Sequence, residues 1–228
     1  MANESLTVSI LAIMYFGDVV FAISGALLAA KYKMDIIGFI MIGTITGIGG
    51  GTTRDILLGR TVWWTHDPTE LILVVTVSII TFFFITNDIT RKKGAIWADA
   101  LGLSVFAVVG SHIALAFGTP FYVAVVIGMI TATGGGVIRD VLTNNLPMIM
   151  SGQLYATAAL LGALCYTSLK YWGVGEVTSE IVGVLAAFTL RASAIIFDIR
   201  MGPPGSFIRI GKTDDEQNNT KNQANEKN

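Results

Sequence analysis

Long apolar runs, broken by short polar stretches, dominate this chain. A helix needs roughly 20 mostly apolar residues to cross about 30 Å of hydrocarbon. Segments of that kind run from about Leu6 to Ala30, Ile36 to Leu58, Leu71 to Thr86, Ala95 to Phe117, Pro120 to Leu142, Met150 to Leu169 and Glu180 to Phe197. The pattern predicts an all-α polytopic membrane protein with seven transmembrane helices. The third segment is short enough to end in the interface. Met1 to Ser5 carries no basic n-region and the first apolar run is long enough to span, so no cleavable signal peptide is expected. Residues 211–228 are rich in Asn, Lys, Asp and Glu and are expected to form a solvated, disordered tail.

Composition narrows the function classes. Of 228 residues, 53% are hydrophobic and 14% are charged, against about 25% charged in an average soluble domain. The formal net charge of −1 offers no basic field, so nucleic acid is not an expected partner. One cysteine, Cys165, and two histidines, His66 and His112, leave too little for a disulfide or a multi-cysteine metal site. Cys165 reads as a small inert hydrophobe. His112 lies on the fourth span without an obvious partner. No nucleophile–base constellation or Gly-x-Ser-x-Gly elbow occurs, and no Lys-Ser/Thr follows the glycine runs to make a phosphate loop. No catalytic residues, cofactor or enzyme activity are expected.

Lys and Arg in the short loops set the orientation. With the N-terminus outside, the cytoplasmic side receives Lys31, Lys33, Arg91, Lys92, Lys93, Arg200, Arg209 and Lys212, and the outer side only Arg60 and Lys170. A multi-pass protein with an outside N-terminus and a cytoplasmic C-terminus follows, in a prokaryotic plasma membrane. Trp63, Trp64 and Trp172 then fall at the outer interface and Trp97 near the inner one.

The chain also repeats itself at an offset of 85 residues. Phe21–Gly25 matches Phe106–Gly110, and Ile42–Asp55 matches Ile127–Asp140, with Gly-Gly-Gly-x-x-Arg-Asp at Gly49–Asp55 and again at Gly134–Asp140. Each copy holds three spans, and an odd number reverses direction. The expected architecture is a 3+3 inverted repeat plus one extra helix. Its parts are residues 6–86, residues 95–169, a seventh helix at 180–200 and the tail at 211–228. Such repeats place a substrate or ion path at the pseudo-two-fold axis. Each glycine costs about 1 kcal/mol against alanine inside a helix, so Gly49–Gly51 and Gly134–Gly136 are expected to kink the second and fifth spans and line a pore. Close helix packing by small residues is the other reading of the same triplets.

Ionisable residues inside spans are expensive, at about 2.5–3.5 kcal/mol each. Here they are Asp18, Arg54, Asp55, Asp99, Arg139, Asp140 and Arg191. If the triplets meet near the midplane, inversion sends Arg54 and Arg139 to opposite halves. The expected pairs are then Asp18–Arg54 and Asp99–Arg139, with packing by ion pairs as the plainer role. Thr44, Thr46, Thr52, Thr53, Thr131 and Thr133 surround the triplets. Their hydroxyls either add ligands to the path, Thr46 and Thr131 foremost, or bond back to the helix.

At these residues the chain resembles the trimeric intracellular cation (TRIC) channel family in its prokaryotic branch, some members of which carry a glycine transporter label. The resemblance rests on the doubled Gly-Gly-Gly-x-x-Arg-Asp motif and covers about residues 6 to 200. It implies a homotrimer whose subunits each hold a pore for monovalent cations, chiefly potassium, lined by the second and fifth helices around the triplets. Potassium would then pass transiently near the triplets, with no fixed metal site. Membrane lipids are further implied partners: Arg139 matches a position that contacts phosphoinositide lipid in animal relatives. Three functions compete. A passive potassium-permeable channel leads. A secondary carrier of a small solute such as glycine also fits an inverted repeat. A scaffold would leave the intramembrane charges without a role.

Overall fold

The computed structural model describes residues 8–85, 88–201 and 208–210. The expected tail at 211–228 lies outside the described residues. Among the described residues, seven α-helices carry the fold: α1 (Val8–Lys31), α2 (Ile36–Leu57), α3 (Thr69–Phe84), α4 (Asp88–Ala116), α5 (Phe121–Leu142), α6 (Ala156–Tyr171) and α7 (Glu176–Ile196). Five of them, α1, α2, α4 from Lys93, α5 and α7, are long and apolar enough to cross a membrane. The chain is a multi-pass membrane protein.

Local signals fix several helix ends. The Asp35 side chain caps α2 by accepting from the Gly38 backbone N–H at 2.8 Å. At the other end, Gly59 supplies a left-handed residue with φ of 66°. Two spans differ from the sequence expectation. α3 and α6 have 16 residues each, about 24 Å at 1.5 Å per residue, which is short of the hydrocarbon thickness. Each follows a single 3-10 turn, Trp63–Thr65 before α3 and Met148–Met150 before α6. The apolar run at Met150 therefore belongs to that turn, and α6 begins six residues later at Ala156. α7 begins at Glu176 instead of Glu180. A small antiparallel pair, β1 (Ile199–Met201) and β2 (Ile208–Ile210), follows α7 and was not expected from the sequence.

The centre is made by α1 and α4, which pack on each other and on most of the remaining helices. Phe21 of α1 stacks on Phe106 of α4, with ring centroids 5.3 Å apart and planes 3° from parallel. These two residues are equivalent under the 85-residue offset. Gly17 leaves room for the Phe106 ring, and its equivalent Gly102 leaves room for Phe21. Peripheral faces stay apolar and exposed, as at Phe83, Phe84, Tyr122 and Ile196, the surface that suits lipid.

Candidate functional site

The glycine triplets bring α2 and α5 into backbone contact. A Cβ at Gly50 would overlap the carbonyl oxygen of Thr131, and a Cβ at Gly135 would overlap that of Thr46. Position 46 faces 135 while 50 faces 131, so the two helices cross running in opposite directions. Gly49 touches Ile138 and the Cα of Gly135, and Gly134 lies against the Cα of Gly50. Gly51 and Gly136 face away from the crossing, toward the Trp63 ring and the Tyr155 hydroxyl.

The helices are not broken at the triplets. α2 is continuous from Ile36 to Leu57 and α5 from Phe121 to Leu142. Away from water, giving up a backbone hydrogen bond costs several kcal/mol, more than the roughly 1 kcal/mol propensity deficit of each glycine. The glycines supply closeness between the two helices. The threonines mostly bond back as well. Thr46 donates to the Ile42 carbonyl at 2.6 Å and Thr131 to that of Ile127 at 2.6 Å. Thr52, Thr53 and Thr133 donate to Ile48, Gly49 and Met129. Among the six, only the Thr44 hydroxyl is buried without a partner among the described residues.

Beyond the crossing sit two charge clusters, one per motif. Each is built on the same intrahelical pair. Arg54 Nε donates to Asp55 Oδ1 at 2.9 Å, and Arg139 Nε donates to Asp140 Oδ1 at 2.9 Å. In each, the second carboxylate oxygen receives the backbone N–H that opens the following 3-10 turn, Trp63 at 3.4 Å and Met148 at 3.2 Å. All four charged side chains are buried.

The second cluster is completed by other helices. Arg139 Nη1 donates to Asp99 Oδ1 of α4 at 2.7 Å and to Ser24 Oγ of α1 at 2.9 Å. Asp99–Arg139 is thus one of the pairs the sequence pointed to. Tyr155 donates to the same Asp99 oxygen at 3.5 Å. Arg191 of α7 lies 5.0 Å over the Tyr155 ring and donates to Gln153 Oε1 at 2.9 Å. A cavity of about 380 Å³ opens beside this cluster, lined by Leu27, Lys31, Ile96, Arg139, Asn145 and Leu146.

The first cluster differs. Asp18 is fully buried and does not pair with Arg54 through a hydrogen bond; Glu70 of α3 lies beside it instead. Arg54 turns to its chain neighbour Asp55 and lies 5.3 Å over the Trp63 ring. A spacing argument along the helix axis gives depth but not side-chain direction, which explains the miss. Glu70, buried at the start of α3, faces Asp18 and Arg54 and was not singled out by the sequence. Its signal was positional, since Glu70 is the 85-residue equivalent of Tyr155. Trp63 and Trp64 are half-buried, and the Trp64 indole N–H donates to Thr52 Oγ1 at 2.9 Å. Just outside, Asp67 accepts from the Thr69 hydroxyl at 2.6 Å and the Thr69 backbone N–H at 3.0 Å, bonds that hold its carboxyl below the usual carboxylate range.

A third polar group was missed altogether. His112 Nδ1 lies 2.8 Å from the Tyr166 hydroxyl and 2.9 Å from Glu176 Oε1. Lys170 Nζ holds Glu176 Oε2 at 2.7 Å, and Ser9 donates to Glu180 Oε1 at 3.1 Å. His112 therefore has partners. They were hidden because Glu176 falls before the expected start of the seventh span.

Comparison with known proteins adds to this geometry. A family model described as glycine transporter matches the chain twice, over residues 11–86 and 96–171, one match on each copy of the motif. The inner membrane protein YadS of Escherichia coli (strain K12) is 36% identical over 188 residues, covering 81% of this chain and 91% of its own length. A membrane protein of Vibrio cholerae is 37% identical over 185 residues, covering 79% and 76%. Among solved structures, the TRIC trimeric intracellular cation channel orthologue from Rhodobacter sphaeroides is 39% identical, with a TM-score of 0.80 over 83% of this chain and 98% of that one. A prokaryotic TRIC channel crystallised in 0.5 M KCl is 34% identical, with a TM-score of 0.80 over 85% and 98%.

Proposed function

Because the chain belongs to the TRIC channel family, we propose that it is a monovalent cation channel of the plasma membrane, permeable to potassium, with one pore in each subunit of a homotrimer. The observation that carries the reading is the crossing of α2 and α5, where two glycine triplets place backbone against backbone between two buried charge clusters. An ion path along that crossing passes Gly49, Gly50, Gly134 and Gly135 and the carbonyls of Thr46 and Thr131. Asp18, Arg54, Asp55, Asp99, Arg139, Asp140 and Arg191 shape the field beyond it. Buried charges of this kind in membrane spans mark ion pathways. The solved relatives are described as cation channels, in keeping with a protein that does no covalent chemistry.

The same reading takes residues 6–86 and 95–169 as two copies in opposite orientation, with the seventh helix added. Its support is the meeting of equivalents: Phe21 on Phe106, Gly50 beside Gly135, Thr46 facing 135 while Thr131 faces 50. The distribution of Lys and Arg puts the N-terminus outside and the C-terminus in the cytoplasm. Lys31 and Arg139 line a cavity that also holds Asp140 and Asn145 among apolar side chains, a mixed lining that suits the headgroup and chain of a membrane lipid.

Purified protein in a planar bilayer tests the proposal. Discrete unitary potassium currents are expected. Saturable glycine uptake without such currents would overturn it in favour of a solute carrier.

A further inference from the structure

Three titratable side chains meet where α4 ends and α7 begins, away from the glycine crossing. His112 stands four residues before the end of α4, and Glu176 and Glu180 lie one turn apart on the same face of α7. The two helices pack on each other. One ligand atom from each of the three residues lies within 4.8 Å of the others. His112 Nδ1 and Glu176 Oε1 are 2.9 Å apart, and the Tyr166 hydroxyl of α6 stands 2.8 Å from the first and 2.6 Å from the second. Among the described residues, this is the one such group that joins an imidazole to two carboxylates.

Donor chemistry identifies the ligand class. An imidazole nitrogen beside carboxylate oxygens suits a first-row transition ion such as zinc. Calcium and magnesium take six or more ligands, all of them oxygen, a demand this group does not meet. Zinc holds its ligands at about 2.0–2.2 Å, which puts them roughly 3.3 Å apart in a tetrahedron. A separation of up to 4.8 Å then has to close by no more than about 1.5 Å. Outer partners are already in place. Lys170 Nζ holds Glu176 Oε2 at 2.7 Å, and Ser9 donates to Glu180 Oε1 at 3.1 Å, as ligating carboxylates are held at metal sites. The His112 and Glu176 side chains are 12% and 24% exposed, whereas Glu180 is 3% exposed. An ion therefore has a way in and a floor to rest on.

We propose that His112, Glu176 and Glu180 bind one divalent transition-metal cation of the zinc class, with the Tyr166 hydroxyl or a water in the fourth position. The ion takes the place of the hydrogen bonds at His112 Nδ1. That nitrogen must be free of its proton to bind metal, so protons and metal compete for it. Once bound, the ion ties α4 to α7 at the end of the bundle where α1 begins. The site stands apart from the α2–α5 crossing and does not rest on the channel reading.

The experiment is zinc-edge anomalous diffraction from crystals of the full-length, chelator-washed protein soaked in zinc, with zinc affinity measured in detergent by competition with a chromogenic chelator. A peak between His112 and the two glutamates is expected, with a Kd of about 1 µM or tighter. His112→Gln and Glu180→Gln should each weaken binding by about a hundredfold, and Lys170→Gln, which removes an outer partner only, by about tenfold. Affinity should fall as the pH drops and protons compete for the imidazole. A soaked wild-type crystal with no peak at this place overturns the inference, whether or not the variants fold. Affinity that is unchanged in His112→Gln also overturns it, as does binding seen only at millimolar zinc. Potassium currents decide a separate question: protein that conducts without a peak loses the site and keeps the channel, and a peak in protein that passes no current does the reverse.

Discussion

The two charge clusters start from one motif and end in different states. Around Arg139, the intrahelical bond to Asp140 is supplemented by Asp99 at 2.7 Å, Ser24 at 2.9 Å and the Tyr155 hydroxyl close by. Around Arg54, the bond to Asp55 is the same length, yet the additional acids Asp18 and Glu70 make no hydrogen bond to the guanidinium and lie beside each other. The repeat explains the contrast. The equivalent of Asp99 is Met14, that of Asp18 is Leu103, and that of Tyr155 is Glu70. The motif was kept in both copies while the residues facing it were exchanged. One half became a lock between helices, and the other gathered two further buried acids beside its arginine.

The largest expected effect tests the locked half. Asp99→Ala removes the interhelical partner of a fully buried guanidinium, and breaking such a pair costs about 3–5 kcal/mol. Thermal unfolding in detergent should show a large loss, and an unchanged midpoint would mean that Asp140 alone suffices. Next come Gly50→Ala and Gly135→Ala. Each pushes a methyl into a backbone carbonyl of the facing helix, an overpacking of about 1–3 kcal/mol. The two should be alike, because each glycine meets the other copy's threonine; a strong inequality would show that the crossing is not two-fold. Trp64→Phe removes the bond to Thr52, which the second copy lacks, since Val137 and Ile149 occupy those places. About 1 kcal/mol should be lost. Asp18→Asn should change stability least, by less than about 1 kcal/mol, because Arg54 keeps its bond to Asp55 and the isosteric amide can still donate to Glu70. If it unfolds the protein as readily as Asp99→Ala, the two halves are equally locked and the contrast fails.

Much of the fold was legible because hydrophobic length and an 85-residue offset are one-dimensional signals. The helices at Ile36–Leu57 and Phe121–Leu142 lie within a residue of where the apolar runs place them. Asp99–Arg139 could be read because both residues sit at the same depth. Asp18–Arg54 could not, because depth along a helix leaves side-chain direction open, and Arg54 is directed to Asp55 and the Trp63 ring. At the triplets, propensity signalled that the glycines matter but not their contact: the helices stay continuous, and Gly50 and Gly135 bring backbone against backbone. Glu70 and Glu176 escaped for a common reason: each lies at a helix start, where a polar residue reads as loop until the fold turns it inward.

Adjacent placement of Arg and Asp has a consequence for how such a protein is made. An isolated arginine in an emerging span raises the free energy of insertion by about 2.5–3.5 kcal/mol. Arg54 and Arg139 each carry their counter-charge on the next residue, bonded at 2.9 Å within the same helix. A segment of this kind reaches the translocon already neutral and requires nothing from helices not yet synthesised.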